Sequence, residues 1–96
     1  MRLTEKEKTT LRSTVENFDP EAKVYLYGSR TNDALKGGDI DLLVLSETLT
    51  FSDKISILVE IKQILGEQKI DLLIANQEKQ ASNPFVIDVM KGAIQL

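Results

Sequence analysis

Apolar positions along the chain change their period several times, and the first periodic stretch predicts a helix. Over residues 4–18 the apolar side chains recur at helical spacing; they are Leu11, Val15 and Phe18. Thr4-x-x-Glu7 has the pattern of a capping box at the start of this helix. Asp19-Pro20 ends it, because proline disfavours helical geometry in the residue before it.

Three short apolar runs predict strands. They are Lys23 to Tyr27 (KVYLY), Ile40 to Leu45 (IDLLVL) and Lys69 to Ile74 (KIDLLI). The second run is apolar on both faces beyond Asp41, which is typical of a central strand covered on both sides. Between the first two runs, Gly28-Ser29 ends the strand and residues 30–36 are predicted to form a loop or a short helix, punctuated by Gly37-Gly38.

Two further helices are predicted around the third strand. Ser52 can cap a helix that runs to about Leu65, where Gly66 suits its C-terminal end. Its buried side is expected to comprise Ile55, Leu58, Val59 and Ile61 or Ile64. Asn83-Pro84 supplies an N-cap and a first-turn proline for a last helix that ends near Gly92. Most of the apolar residues near this end are expected to cover the sheet: Val86, Ile87, Val89, Met90 and Ile94.

This order of elements predicts an α/β fold, in which one sheet has helices packed on it. The 96 residues are expected to form one domain, residues 1–96. The segment between the first two strands is long enough for either relative orientation, so the pattern alone leaves the polarity of the sheet open.

Composition narrows the chemistry that the chain can perform. It contains no cysteine and no histidine, which excludes Ser-His-Asp triads, thiolate metal sites and most zinc sites. Any metal would be held by carboxylates, which favours Mg²⁺ or Mn²⁺. The net charge of −3 argues against binding of long nucleic-acid duplexes. Without a signal peptide or an apolar run of roughly 18 residues, a cytoplasmic location away from membranes is expected.

Three aspartates lie at the starts of two predicted strands. Asp39 and Asp41 are two positions apart, so in a strand their side chains point to the same face. Asp71 lies in the third apolar run, where a lone carboxylate is costly unless it is paired or bound to a metal. If the two strands are neighbours, these three carboxylates can hold two metal ions, the arrangement used for in-line attack at phosphorus.

Gly28-Ser29-Arg30 offers a complementary site for an anion. Glycine permits a turn that brings backbone N–H groups close to a phosphate, and the Ser29 hydroxyl can donate to one. Arg30 can offer a bidentate fork to a phosphate or to one of the aspartates. Each feature is weak by itself, but their order and their positions at strand ends together indicate a nucleoside-triphosphate site.

The motif Tyr27-Gly28-Ser29, nine further residues and then Asp39-Ile40-Asp41-Leu42 resembles the signature of the DNA polymerase beta-like nucleotidyltransferase superfamily. The chain length, the Gly-Ser-Arg variant and the closing NPFVIDVMKGAIQL resemble the minimal nucleotidyltransferases (MNT). These are commonly encoded beside a helical HEPN protein, as the antitoxin of a toxin–antitoxin pair. Two loop positions depart from many relatives, since Thr31-Asn32-Asp33 follows the Gly-Ser-Arg and Gly38 precedes the first aspartate.

The resemblance implies a mixed sheet of at least three strands and Mg²⁺-dependent transfer of a nucleotide, usually AMP from ATP, to a hydroxyl. In the antitoxins this hydroxyl is a tyrosine on the HEPN toxin. Carried over by position, Gly28, Ser29 and Arg30 would bind the nucleotide. Asp39, Asp41 and Asp71 would hold two Mg²⁺ ions, with Mn²⁺ as an alternative. Asp71 would also help to deprotonate the incoming hydroxyl.

Two other functions stay open at this point. The chain could neutralise its partner by contact alone, with the acidic cluster idle or merely sensing nucleotide. It could also transfer a nucleotide to RNA or to a small molecule, although the acidic composition makes RNA the weaker choice.

A cleft open on one side predicts that a partner or a second copy completes the site, in a homodimer or a heterotetramer.

Overall fold

The computed structural model describes residues 3–32 and 39–96, apart from the side chain of Ser29. The elements in chain order are α1 (Glu5–Phe18), β1 (Lys23–Tyr27), a 3₁₀ helix (Gly28–Thr31), β2 (Ile40–Leu45), α2 (Phe51–Leu65), β3 (Ile70–Ala75), α3 (Gln77–Ser82), α4 (Pro84–Met90) and β4 (Ile94–Gln95). The predicted α/β fold is confirmed. Residues 33–38 lie outside the described part, and with them the predictions for Asp33, for Gly37-Gly38 and for the rest of the loop or short helix over residues 30–36.

The sheet has four strands in the order β3-β2-β1-β4. Strand β1 is antiparallel to both of its neighbours, whereas β2 and β3 run parallel, so the sheet is mixed as expected. The parallel pair is joined through α2, which provides the long crossover connection that parallel strands require. Strand β2 lies between β3 and β1, and it is apolar on both faces, as its sequence predicts.

The two faces of the sheet are covered unequally. Helices α1 and α2 pack on one face, where Leu11, Val15, Ile57 and Ile61 join the even-numbered side chains of the strands in the main core. The other face carries a smaller cluster, formed by Leu43 and Ala75 with Val86 of α4. Burial of apolar surface on both faces stabilises the sheet, but the second face has far less of it.

The start and buried side of α2 differ from the prediction. Thr50 rather than Ser52 is the N-cap, because Thr50 and Asp53 form a reciprocal capping box two residues earlier. Ile61 is buried and Leu58 packs against the core as predicted, but Ile55, Val59 and Ile64 are about half exposed. Ile57, which the prediction omits, is buried instead. Apolar residues occur almost all around this helix, so periodicity alone could not select the face that packs on the sheet.

The C-terminal region is more divided than the sequence indicates. The sequence does not predict α3, because QEKQAS has no apolar stripe, or β4, because it is only two residues long. Helix α4 begins at the predicted Asn83-Pro84 cap but ends at Met90. Val86, Val89 and Met90 pack on the sheet as expected. Ile87 is exposed, and Ile94 lies in β4. In the described part of the chain, no helix combines the length and apolar character needed to cross a membrane.

A buried hydroxyl joins the two turns at the end of the sheet opposite the aspartates. The Ser46 hydroxyl donates to Asp19 Oδ2 at 2.6 Å and accepts from the N–H groups of Thr48 and Leu49. This bond from Ser46 is the largest of the influences that lower the pKa of Asp19 below its ordinary value. The bond therefore fixes the end of α1 against the turn that leads into α2.

We expect Ser46→Ala to lower the free energy of unfolding by about 1–3 kcal/mol, because it removes one hydrogen bond from the Asp19 carboxylate and leaves two backbone donors without their partner. The lowered pKa means that the bond stabilises the fold above the ordinary aspartate pKa, and that this contribution disappears as the pH falls through the folded-state pKa. Denaturant unfolding at neutral and acidic pH should show the difference from wild type shrinking in acid. Ser82→Ala, which removes only an exposed bond to the Glu78 carbonyl, is the control and should change stability little.

Candidate active site

A row of three polar side chains crosses the sheet where β2 and β3 begin. The strand register places Tyr27 directly opposite Asp41, and Asp41 directly opposite Asp71. Directly opposed residues in neighbouring strands point to the same face of a sheet. All three therefore lie on the sparsely covered face, the one on which α4 packs. The condition set by the sequence, that the strands of Asp41 and Asp71 be neighbours, is met.

Asp39 lies just outside this row. It precedes β2, and its carboxylate forms an ion pair with Lys69, with Oδ2 3.5 Å from Nζ. The backbone is tied at the same point, because the Ile40 N–H donates to the Lys69 carbonyl at 3.1 Å. Within residues 3–32 and 39–96, no three acidic side chains are grouped closely enough to hold one metal ion. The structure thus joins two of the three predicted ligands and holds the third against a lysine.

Electrostatic repulsion is concentrated at Asp41. Partial burial is the largest influence raising the pKa of Asp41, followed by the negative charges of Asp71 and Asp39. A hydrogen bond with the Asp71 carboxyl raises it further, while the charge of Lys69 lowers it. Burial also raises the pKa of Tyr27, and so do the Asp41 and Asp71 carboxylates. A divalent cation would relieve this repulsion, and the oxygen donors available suit Mg²⁺ or Mn²⁺.

Gly28 brings the backbone against Asp41. Its φ of +79° lies in the region that favours glycine. A Cβ built on Gly28 would overlap with Asp41 Oδ2, so the close approach also requires the absence of a side chain. The 3₁₀ helix starts at Gly28, and its turn is closed by the Thr31 hydroxyl, which donates to the Gly28 carbonyl at 2.7 Å. Asp41 and Asp71 together are called the acidic row below. The predicted phosphate-binding turn therefore directly adjoins the acidic row.

Arg30 is half-buried in this 3₁₀ helix, and its positive charge acts on Glu7 in the first turn of α1. Burial raises the pKa of Glu7, but hydrogen bonds from Thr4 and Gln68, together with the charge of Arg30, lower it below its ordinary value overall. The roles of Ser29 and Arg30 in binding phosphate stay predictions, and the side chain of Ser29 is not described.

Two side chains of the site do not stand out in the sequence. Tyr27 is part of the Gly-Ser motif, but its place opposite Asp41 follows only from the antiparallel register of β1 and β2. Lys69 is predicted from the sequence only as the start of a strand. Its separation of two residues from Asp71 matches that of Asp39 from Asp41, which is the signal that could have placed it beside Asp39 once parallel pairing was assumed.

The protein family follows from a comparison of the whole chain. Residues 9–94 match the family model described as polymerase beta, nucleotidyltransferase. The chain belongs to this family. The matched region contains β1, β2 and β3, and with them the acidic row and the Gly28 turn. No curated protein sequence gives a significant match.

Solved structures show the same fold. One is a crystal structure of the toxin–antitoxin complex MntA–HpeT, in a mutant form with two aspartate-to-glutamate substitutions. The chain matches it with a TM-score of 0.66 and 18% identity, over 92% of its own length and 70% of that chain. Another is a tri-AMPylated HEPN toxin from Shewanella oneidensis in complex with an MNT antitoxin, with a TM-score of 0.63 and 20% identity, over 93% and 67% of the two chains. Both likenesses concern the fold.

Alanine at Gly28 tests the contact between this turn and Asp41. We expect Gly28→Ala to lower the free energy of unfolding by about 1–3 kcal/mol through backbone strain, and to displace the Asp41 carboxylate as well. The carboxyl ¹³C signal of Asp41 should therefore shift in the NMR spectrum. Gly66→Ala is a matched control, because Gly66 also has a positive φ but has no atom within 4 Å of the position that a Cβ would occupy. An Asp41 signal that moves equally in both variants would contradict the contact.

Proposed function

We propose that this nucleotidyltransferase transfers AMP from ATP to a hydroxyl of a HEPN-type partner protein, and that the transfer neutralises the partner. The observation that carries the proposal is the placement of Asp41 beside Asp71 on parallel strands, with the Gly28 turn packed against Asp41. Family membership supports nucleotidyl transfer. The likeness in fold to a chain solved with a tri-AMPylated HEPN toxin supports the nucleotide and the partner class.

The donor set fits Mg²⁺, and Mn²⁺ equally. Asp41 and Asp71 would hold the cation from adjacent strands, and Asp39 would join them. Its ion pair with Lys69 is mostly exposed to solvent, and pairs of that kind contribute about 1 kcal/mol or less, so giving it up costs little. When bound, the cation neutralises charge on the phosphates and on the attacking oxygen.

The residues of the chain divide the remaining work. The backbone at Gly28 and Ser29, at the start of the 3₁₀ helix beside Asp41, would bind the phosphates, since successive backbone N–H groups of a turn attract anions. Asp71 is exposed, whereas Asp41 is partly buried, so Asp71 is the carboxylate that an incoming hydroxyl can reach. In the transfer, the hydroxyl oxygen bonds to the α-phosphorus, the bond to pyrophosphate breaks, and the proton passes to a carboxylate. With no histidine in the chain, a carboxylate is the available base near neutral pH.

One observation favours a second function. The Asp39–Lys69 ion pair keeps one of the three predicted ligands engaged with a lysine. An antitoxin that acts by contact alone, with the acidic row idle or only sensing nucleotide, would tolerate this arrangement permanently. The two functions differ in whether neutralisation of the partner depends on the aspartates.

Incubation of the protein with α-³²P-labelled ATP, Mg²⁺ and the HEPN-type protein encoded beside it tests the proposal. Label should transfer to the partner with wild type, and transfer should fall at least about 100-fold with Asp39→Ala/Asp41→Ala, because the charge-stabilising ligands are lost. Asp88→Ala, which removes an exposed carboxylate on α4, is the control and should transfer label normally.

Growth rescue in cells that express the partner separates the two functions. Under the proposal, the Asp39→Ala/Asp41→Ala protein fails to rescue growth although it remains folded and binds the partner. Full rescue by this double variant, together with no label transfer by wild type, would establish neutralisation by contact and overturn the proposal.

A further inference from the structure

Phe85 presents an aromatic ring beside the acidic row. Its ring centroid lies 6.4 Å from that of Tyr27, and the two rings are nearly perpendicular, with an interplanar angle of 82°. This edge-to-face arrangement is one of the preferred geometries of aromatic pairs. Phe85 is nevertheless 57% exposed, so much of its ring faces solvent. An open aromatic surface therefore contacts Tyr27, the residue directly opposite Asp41.

The backbone of Phe85 is fixed on both sides. Pro84 precedes it as the first residue of α4, and the Asn83 side chain accepts from the N–H of Phe85 at 3.0 Å and from that of Val86 at 3.2 Å. The next residue, Val86, is buried against the sheet with Leu43 and Ala75. The ring is thus presented by an anchored helix start, and a surface ordered in advance loses little entropy when a ligand binds.

The order of charged and aromatic side chains across the sheet matches the order of the parts of a nucleotide. Across the sheet the order is Asp71, Asp41 and Tyr27, with Phe85 contacting Tyr27. Negative charge, which a cation and phosphates would balance, lies at the β3 side and centre, and aromatic surface lies at the β1 side. A nucleoside triphosphate combines the same two parts, an anionic triphosphate and a flat base, which are joined through the ribose. If the acceptor hydroxyl approaches the exposed Asp71, the base of the nucleotide lies toward Tyr27 and Phe85.

We propose that Phe85, supported edge-on by Tyr27, is the surface on which the base of the nucleoside triphosphate stacks. This inference rests on the proposed function, because it assumes that the triphosphate lies between the Gly28 turn and the aspartates. Stacking on a side-chain ring tolerates different bases, since every base has a π-face. Phe85 then contributes affinity for the nucleoside part of the substrate, while the phosphates are bound elsewhere.

Calorimetry with two ligands isolates the base. One is α,β-methylene-ATP, which carries the base but cannot release pyrophosphate, and the other is inorganic tripolyphosphate, each with Mg²⁺. Phe85→Ala should weaken the nucleotide by about 5- to 100-fold and leave tripolyphosphate unchanged. Phe85→Leu keeps apolar bulk against Tyr27 and should lose nucleotide affinity to a similar degree, whereas Phe85→Trp should retain it.

Phe51→Ala is the matched control. Phe51 is 74% exposed and begins α2, which follows the opposite end of β2, so both ligands should bind its variant as they bind wild type. Unchanged nucleotide affinity in Phe85→Ala and Phe85→Leu would overturn the stacking role and leave the proposed function standing. Equal weakening of both ligands would also overturn it, because the effect would then lie at the phosphates. A wild-type protein that binds neither ligand would remove the proposed function and the stacking role together.

Discussion

The parallel pairing of β2 with β3 is the constraint on which the site depends. It sets Asp41 beside Asp71 in direct register, and each of these carboxylates is followed by a buried apolar run. Like charges directly opposite one another destabilise a sheet. The raised pKa of Asp41 records this repulsion together with partial burial. The apolar residues that follow in both strands hold the register in place, and a cation bound between the two carboxylates would relieve their repulsion.

The unequal covering of the sheet explains why this repulsion is tolerated and where a ligand can enter. The main core, beneath α1 and α2, contains most of the buried side chains and provides most of the stabilisation. The opposite face is covered by α4 away from the strand starts, where Val86 meets Leu43 and Ala75. At the starts of β2 and β3 this face carries Asp41 and Asp71 instead. The acidic pair thus lies where burial contributes least to the fold.

Most of the elements could be predicted from the sequence, and where prediction failed the cause is physical. The helical period and the capping box predict α1, and short apolar runs between turn residues predict the three longer strands. The sequence predicts the position of helix α2 but only part of its buried side. Ile55, Ile57, Val59 and Ile61 offer apolar surface in several directions, and only the sheet selects among them. Strand β4 pairs with β1 through two residues, too few to carry a period.

The candidate site shows the same division between local and long-range information. Spacing alone showed that Asp39 and Asp41 share a face if they lie in one strand, but the end of the strand leaves Asp39 outside β2 and against Lys69. The neighbourhood of Asp41 and Asp71 depended on strand order, which no local pattern specifies. Tyr27 and Phe85 are further examples, because one contact requires an antiparallel register and the other requires the position of α4.

Helix α4 links the second face of the fold to its chemistry. Its start is fixed by Asn83 and Pro84, and Val86 anchors it to the middle of the sheet. The same seven residues carry Phe85 to the ring of Tyr27, next to the acidic row. Because the cluster beneath α4 is small, a change in this helix affects the aromatic side of the site before it affects the main core. The packing of α1 and α2 therefore provides most of the stability, whereas α4 and the strand ends determine the shape of the site.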